Sequence, residues 1–183
     1  MNATRHAITV HVNGAARTTD VEARTSLADL LRHELRLTGT HVACEQGVCG
    51  SCTVLLDGVP VRSCLMFAVQ SDGRTVETVE SLSGGESTAD ALDRFQRAMS
   101  DCHGLQCGFC TPGILMSVTA ARREGLGVDE TTHDVLGGHV CRCTGYQGIR
   151  DAIRTTWDAD ARDADGPAAG PAADTAARDG GRA

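Results

Sequence analysis

The sequence predicts an α+β protein in which a strand-rich N-terminal domain precedes a small helical one. Apolar and polar residues alternate near the start with the period of two that a half-buried strand requires. Beyond a glycine/serine stretch, Ser81–Ser87, the apolar period becomes helical. Nine cysteines fall in short groups, in a chain with only three phenylalanines, one tyrosine and one tryptophan. Small domains with so few large side chains commonly need metals or disulfides as staples.

The N-terminal elements follow in order. Residues 6–12 (HAITVHV) form a strand, Asn13-Gly14 is a tight hairpin signal, and a second strand runs through Arg17–Val21. Ser26 caps a helix over Leu27–Leu35 that carries Leu27, Leu30 and Leu31 on one stripe. A glycine- and cysteine-rich loop occupies residues 43–52. Two strand-like runs, Thr53–Leu56 and Val61–Cys64, flank the turn Asp57-Gly58, and Thr75–Val79 is the fifth strand. Five strands around one helix make a β-grasp-like plan, which we assign to residues 1–80.

After a linker at 81–87, residues 88–158 carry four short helical patterns. The first, Ala89–Met99, places Leu92, Phe95 and Met99 on one face. The second opens with Thr111 as cap and Pro112 in the first turn and runs to Arg123. Val128–Leu136 and Tyr146–Trp157 are the third and fourth, giving a four-helix second domain. Residues 159–183 are Ala-, Asp-, Gly-, Pro- and Arg-rich without apolar periodicity, so a disordered tail without chemistry is expected there.

Charge narrows the function classes. Seventeen basic residues, all arginine, stand against 24 acidic ones without a basic block, which argues against a nucleic-acid partner. The start, MNATRHAITVHVNG, lacks the charged leader and apolar run of a signal peptide, and the apolar runs are too short to span a bilayer. A cytoplasmic, reducing setting is the default expectation, and there cysteine clusters are more often metal ligands than disulfides.

Cys44, Cys49, Cys52 and Cys64 lie in CEQGVCGSCTVLLDGVPVRSC. The first three follow C-x4-C-x2-C spacing with a fourth cysteine downstream, the plant-type spacing for a 2Fe–2S cluster. Three thiolates from one loop must wrap closely around a compact anionic group. Gly47 and Gly50 ease that wrap because glycine accepts positive φ and lets amides approach sulfur. Zinc sites favour paired knuckles, which this spacing is not.

Cys107 and Cys110 stand in QCGFCTPG, and Cys141 and Cys143 in HVCRCTGYQ. Spacing favours a cluster but also admits a zinc site. A C-x-C pair suits two ligands on one iron. Cys110 and Cys143 precede expected helices, whose N-terminal amides favour thiolate charge.

With both sets in view, the chain resembles the small iron–sulfur subunits of the molybdenum hydroxylases. This is the xanthine oxidase family, which includes aerobic carbon monoxide dehydrogenases, nicotine and quinoline dehydrogenases and aryl-CoA oxidoreductases. CEQGVCGSCTVLLDG, HGLQCGFCTPG and CRCTGYQ, in that order, carry the resemblance across residues 5–157. It implies an N-terminal β-grasp ferredoxin-like domain that binds a 2Fe–2S cluster through Cys44, Cys49, Cys52 and Cys64. It implies a C-terminal four-helix domain that binds a second through Cys107, Cys110, Cys141 and Cys143. Gln106 matches the family glutamine that hydrogen-bonds the pterin, and Cys143 likewise approaches it. Electrons are expected to pass from molybdopterin, commonly its cytosine dinucleotide, in a large subunit to FAD in a medium subunit. The implied assembly is a dimer of heterotrimers, with this chain as a non-catalytic electron-transfer subunit.

Other residues receive blander assignments. Cys102 is a spare thiol, His103 a turn or interface histidine, Arg142 a charge that neutralises a cluster or faces a partner, and His139 has no role. Tyr146 and Trp157 are helix-packing residues. A free ferredoxin-type carrier would need only the first cysteine set, and a zinc-stabilised binding module would bind no iron.

Overall fold

The computed structural model describes residues 4–83 and 92–164. Strands β1 (Arg5–Val12), β2 (Ala15–Glu22), β3 (Thr53–Leu56), β4 (Val59–Arg62) and β5 (Thr75–Glu77) form one sheet in the order β2-β1-β5-β3-β4. The β1–β5 pairing is parallel and the other three are antiparallel, so the sheet is mixed. Asn13-Gly14 and Asp57-Gly58 carry positive φ at both positions (50° and 81°; 50° and 84°). Such two-residue hairpins match the right-handed twist of the flanking strands.

The tight second hairpin pairs Leu56 with Val59 at once, so β4 starts and ends earlier than expected. Cys64 therefore lies in the turn beyond the strand, not on it. Helix α1 (Leu27–Asp29) widens into a π turn, Leu30–Glu34, within the expected span. Its cap is Ser26, whose hydroxyl accepts the Asp29 N–H at 3.0 Å.

In the second half, α2 (Arg94–Asp101) starts late because Asp93 and Gln96 form a capping box, leaving Leu92 outside the helix. Residues 89–91 of the expected helix lie outside the described residues. Helix α3 (Thr111–Glu124) has Cys110 at its N-cap and Thr111 as its first residue, so Thr111 is not the cap. A short α4 (Val128–Glu130) continues through a π turn, Thr131–Val135, into a 3-10 turn, Leu136–Gly138.

Helix α5 (Gln147–Ala164) starts after Tyr146, whose φ of 67° keeps it out of the helix. It extends past the expected start of the tail. Arg94 pairs with Asp160 at 2.7 Å and with Asp163, and Arg122 Nε meets Asp160 at 2.8 Å. Those ion pairs give the acidic, weakly apolar stretch partners that periodicity does not reveal. Residues 165–183 of the expected tail, and 84–87 of the expected linker, fall outside the described residues.

Two cores form, one in each half. Leu27, Leu30 and Leu31 pack on Ile8, Val10, Val54, Leu56 and Val76, while Phe95, Met99, Ile114, Leu136, Ile149 and Ile153 pack among the helices. A third small cluster joins them, with Leu55 of β3 against Met116 and Ala120 of α3. All four residues of β3 are consequently buried, because α1 covers one face of the sheet and α3 the other. Arg123 of α3 adds a two-pronged ion pair to Glu77 of β5, at 2.8 and 2.9 Å. Among the described residues no helix is long and apolar enough to cross a membrane.

Candidate metal centres

The first cysteine set gathers where the loop after α1 meets the turn after β4. Gln46 and Cys49 donate backbone N–H groups to Cys44 Sγ at 3.5 and 3.4 Å. Those amides, Cys49's foremost, hold the Cys44 thiol down to about 6. Across the set, burial pushes Cys64 up to about 11, helped by a hydrogen bond with Cys52 and by the nearby charge of Cys44. All four thiols thus belong to one group, arranged as the pairs Cys44–Cys49 and Cys52–Cys64.

The second set spans the break before α3 and the loop before α5. Cys143 Sγ lies 3.5 Å from Cys107 Sγ, a contact that raises the Cys143 thiol. Cys110 bonds to Cys141, and burial above all pushes Cys110 up to about 12. Burial also works upward on Cys141, but the Thr144 hydroxyl at 3.2 Å and the amides of Thr144 and Cys143 outweigh it, so its thiol is lowered. Each set therefore holds one thiol lowered by hydrogen bonds, Cys44 or Cys141, beside thiols that are raised, Cys64 in the first set and Cys110 and Cys143 in the second. The C-x-C cysteines do not pair with each other as the spacing suggested. Each faces one cysteine of the C-x2-C, so the rungs are 107–143 and 110–141.

Four soft donors in two rungs, with amides directed at sulfur, suit a two-iron, two-thiolate-per-iron centre in each set. The inner rung, Cys110 and Cys141, is buried, whereas Cys107 and Cys143 are exposed together with Gln106 and Arg142.

The two sets are joined directly. The Val140 N–H, next to Cys141, donates to the Cys49 carbonyl at 2.9 Å. Beside it, α3 presses on the first loop at Gly113, where a Cβ would stand 2.2 Å from the Gly50 carbonyl oxygen. His139, assigned no role from sequence, is buried here. Its Nε2 meets Ser117 Oγ at 2.8 Å, and its ring fills the space beside Gly50 that a side chain at 50 would need. Burial, then the Arg62 charge, lowers His139 to about 4, so the ring is neutral. Arg62 reaches across to the Gly138 carbonyl at 2.7 Å.

Tyr146 does more than pack. Its hydroxyl accepts the Cys141 N–H at 2.8 Å and donates to the His139 carbonyl at 3.1 Å, bracing the second ligand loop. The HVCRCTGYQ phrase was the available sequence signal for His139 and Tyr146, but burial and partners come from chain segments far apart. Trp157 packs on the helical core and donates to the Leu126 carbonyl at 2.7 Å. Cys102 ends α2, its Sγ 3.8 Å from Thr155 Oγ1, and His103 takes φ 53° in the following turn. Neither belongs to a cysteine set.

Comparison with known proteins settles the family. Residues 10–82 match the family described as 2Fe-2S iron-sulfur cluster binding domain, and residues 78–154 match the 2Fe-2S binding domain. Subunit gamma of caffeine dehydrogenase from Pseudomonas sp. (strain CBB1) is 50% identical over 154 residues, covering 82% of this chain and 90% of that one. The chain is a small iron–sulfur subunit of the xanthine oxidase family of molybdenum hydroxylases.

The beta subunit of the 6-hydroxypseudooxynicotine dehydrogenase complex from Paenarthrobacter nicotinovorans is another such relative. It is 53% identical over 154 residues, with 83% of this chain and 92% of that one covered. Quinoline 2-oxidoreductase from Pseudomonas putida 86 contains a chain that matches with a TM-score of 0.75 at 47% identity, covering 81% of this chain and 90% of that one. As a molybdenum hydroxylase small subunit, this protein binds 2Fe–2S centres and is a non-catalytic electron-transfer subunit of an oxidoreductase.

Proposed function

We propose that this chain relays electrons from a molybdopterin centre in a large subunit to FAD in a medium subunit. It does so with two 2Fe–2S clusters, one on Cys44, Cys49, Cys52 and Cys64 and one on Cys107, Cys110, Cys141 and Cys143. The clusters, when bound, supply one-electron carriers. The protein's part is to hold their ligands, bring them close and seal off water.

The observation that carries this reading is the Val140 N–H to Cys49 carbonyl hydrogen bond of 2.9 Å. It makes the route from the Cys141 thiol to the Cys49 thiol a run of covalent bonds interrupted by one hydrogen bond. Exposure of Gln106, Cys107 and Cys143 on one face supports a pterin contact there, with Gln106 as the donor that orients the pterin. Val48, Leu65 and Phe67 are large apolar side chains left exposed near the first set, which supports its coverage by the flavin-bearing partner.

In this reading residues 1–80 are a β-grasp ferredoxin-type domain and residues 88–158 a four-helix domain, joined at 81–87. The pterin carries a cytosine dinucleotide, and a cytoplasmic dimer of heterotrimers is the working assembly.

Purification with the neighbouring polypeptides tests the proposal. Molybdenum and flavin chains should co-elute, with about four irons and four acid-labile sulfides per small subunit. Zinc in place of iron, or a chain fully functional alone, would overturn it.

A further inference from the structure

We propose that His41 is a positioning residue that clips the Cys44 loop of the first site to the Cys107–Cys110 loop of the second and so sets the geometry between the two iron–sulfur sites. The inference rests on the relay reading above and concerns a side chain that ligates nothing in that reading. His41 lies three positions before Cys44, and its Nδ1 stands 2.8 Å from the carbonyl oxygen of Phe109, the residue before Cys110. Its ring also stacks on Phe109, with centroids 4.9 Å apart and planes at 27°. A carbonyl oxygen can only accept, so Nδ1 is the nitrogen that carries the proton and donates to Phe109.

The base of this clip is itself fixed. Arg32, in the π turn after α1, donates to the carbonyls of Thr38 and Thr40 at 2.9 and 2.7 Å. Constraint therefore runs from the sheet-covering helix through Thr40 and His41 to Phe109 and Cys110. The Val140–Cys49 hydrogen bond ties the same first-site loop to the other ligand loop of the second site, the one that carries Cys141 and Cys143. One tie alone leaves a hinge, and two separated ties fix both distance and orientation. Short of a proline at position 140, directly beside a ligand, no side-chain change removes the backbone tie, whereas the His41 tie can be cut without touching a ligand or its neighbour.

In the assembled complex, one electron leaves the second site and reduces the first, and no bond is made or broken. Slackening the clip should weaken that step while both sites stay loaded. His41→Ala is expected to keep both reduced-cluster EPR signals but to diminish the magnetic splitting between them. It should also speed exchange of the Val140 amide, followed by mass spectrometry, about fivefold or more. His41→Asn puts an amide nitrogen close to the place of Nδ1 without the stacked ring and should restore the larger part of the splitting and protection.

Unchanged splitting and exchange in His41→Ala would overturn the proposal, as would a loss that His41→Asn does not restore. Should His41→Ala fail to load iron, Phe109→Leu carries the test, since it keeps the carbonyl and removes the stacked ring. A partly reduced splitting is expected there, and an unchanged one overturns the clip. If substrate never reduces either site in the unaltered complex, the relay reading fails. Val140 exchange still reports on His41 in that case.

Discussion

The first cysteine set takes three thiols from one loop and the fourth from a turn on the sheet, whereas the second takes two from each of two loops that precede helices. The first loop wraps through positive-φ positions at Glu45, Gly47 and Gly50, and its thiols range from half-buried to buried. In the second set the buried rung, Cys110 and Cys141, faces the core, and the exposed rung, Cys107 and Cys143, faces outward. A local loop can enclose a cluster by backbone curvature alone. A site assembled from distant segments instead needs braces such as Tyr146, and it leaves one edge open for a partner.

Replacing one ligand per set is the strongest test of that contrast. Cys49→Ser should abolish one of two distinguishable reduced-cluster EPR signals and Cys110→Ser the other. Loss of a single shared signal in both variants would contradict two separate sites.

A smaller effect is expected where the regions touch. Gly113→Ala forces a Cβ against the Gly50 carbonyl, a backbone atom that cannot swing aside. Overpacking of this kind should lower stability by about 3 kcal/mol, read from denaturant unfolding of the loaded protein. An unchanged midpoint would mean that α3 does not press on the first loop.

Tyr146→Phe isolates the brace. Without the hydroxyl, the Cys141 N–H and the His139 carbonyl lose their partner, at a cost of about 1 kcal/mol. The second-site EPR signal should shift while the first stays put, and equal shifts in both would remove the distinction between a braced and a self-wrapped site. Arg123→Met is the mildest change. Its ion pair with Glu77 is half-exposed, so about 0.5 kcal/mol should be lost, and the difference should vanish at high salt.

Much of the scaffold was legible because its signals are local. Asn13-Gly14 and Asp57-Gly58 dictate hairpins by their tolerance of positive φ, and Ser26 caps the helix that it precedes. Cys44, Cys49 and Cys52 announce their shared site because few residues separate them. The misplaced elements fail for one common reason. The start of β4, the cap at Cys110 and the extension of α5 depend on register, chain reversal and ion pairs with Arg94 and Arg122, none of which appear in local periodicity.

By itself, then, the sequence determined the α+β class, the two groups of four cysteines and the membership that their phrases signal. Only the tertiary structure decided how the groups meet. It buried β3 on both faces by laying α3 across the sheet, paired Cys107 with Cys143 and Cys110 with Cys141, and set the Val140 amide on the Cys49 carbonyl. It also gave His139, Tyr146 and His41 their partners. Spacing along a chain constrains what one loop can reach, but contacts between distant segments arise only when their shared apolar surfaces leave water together.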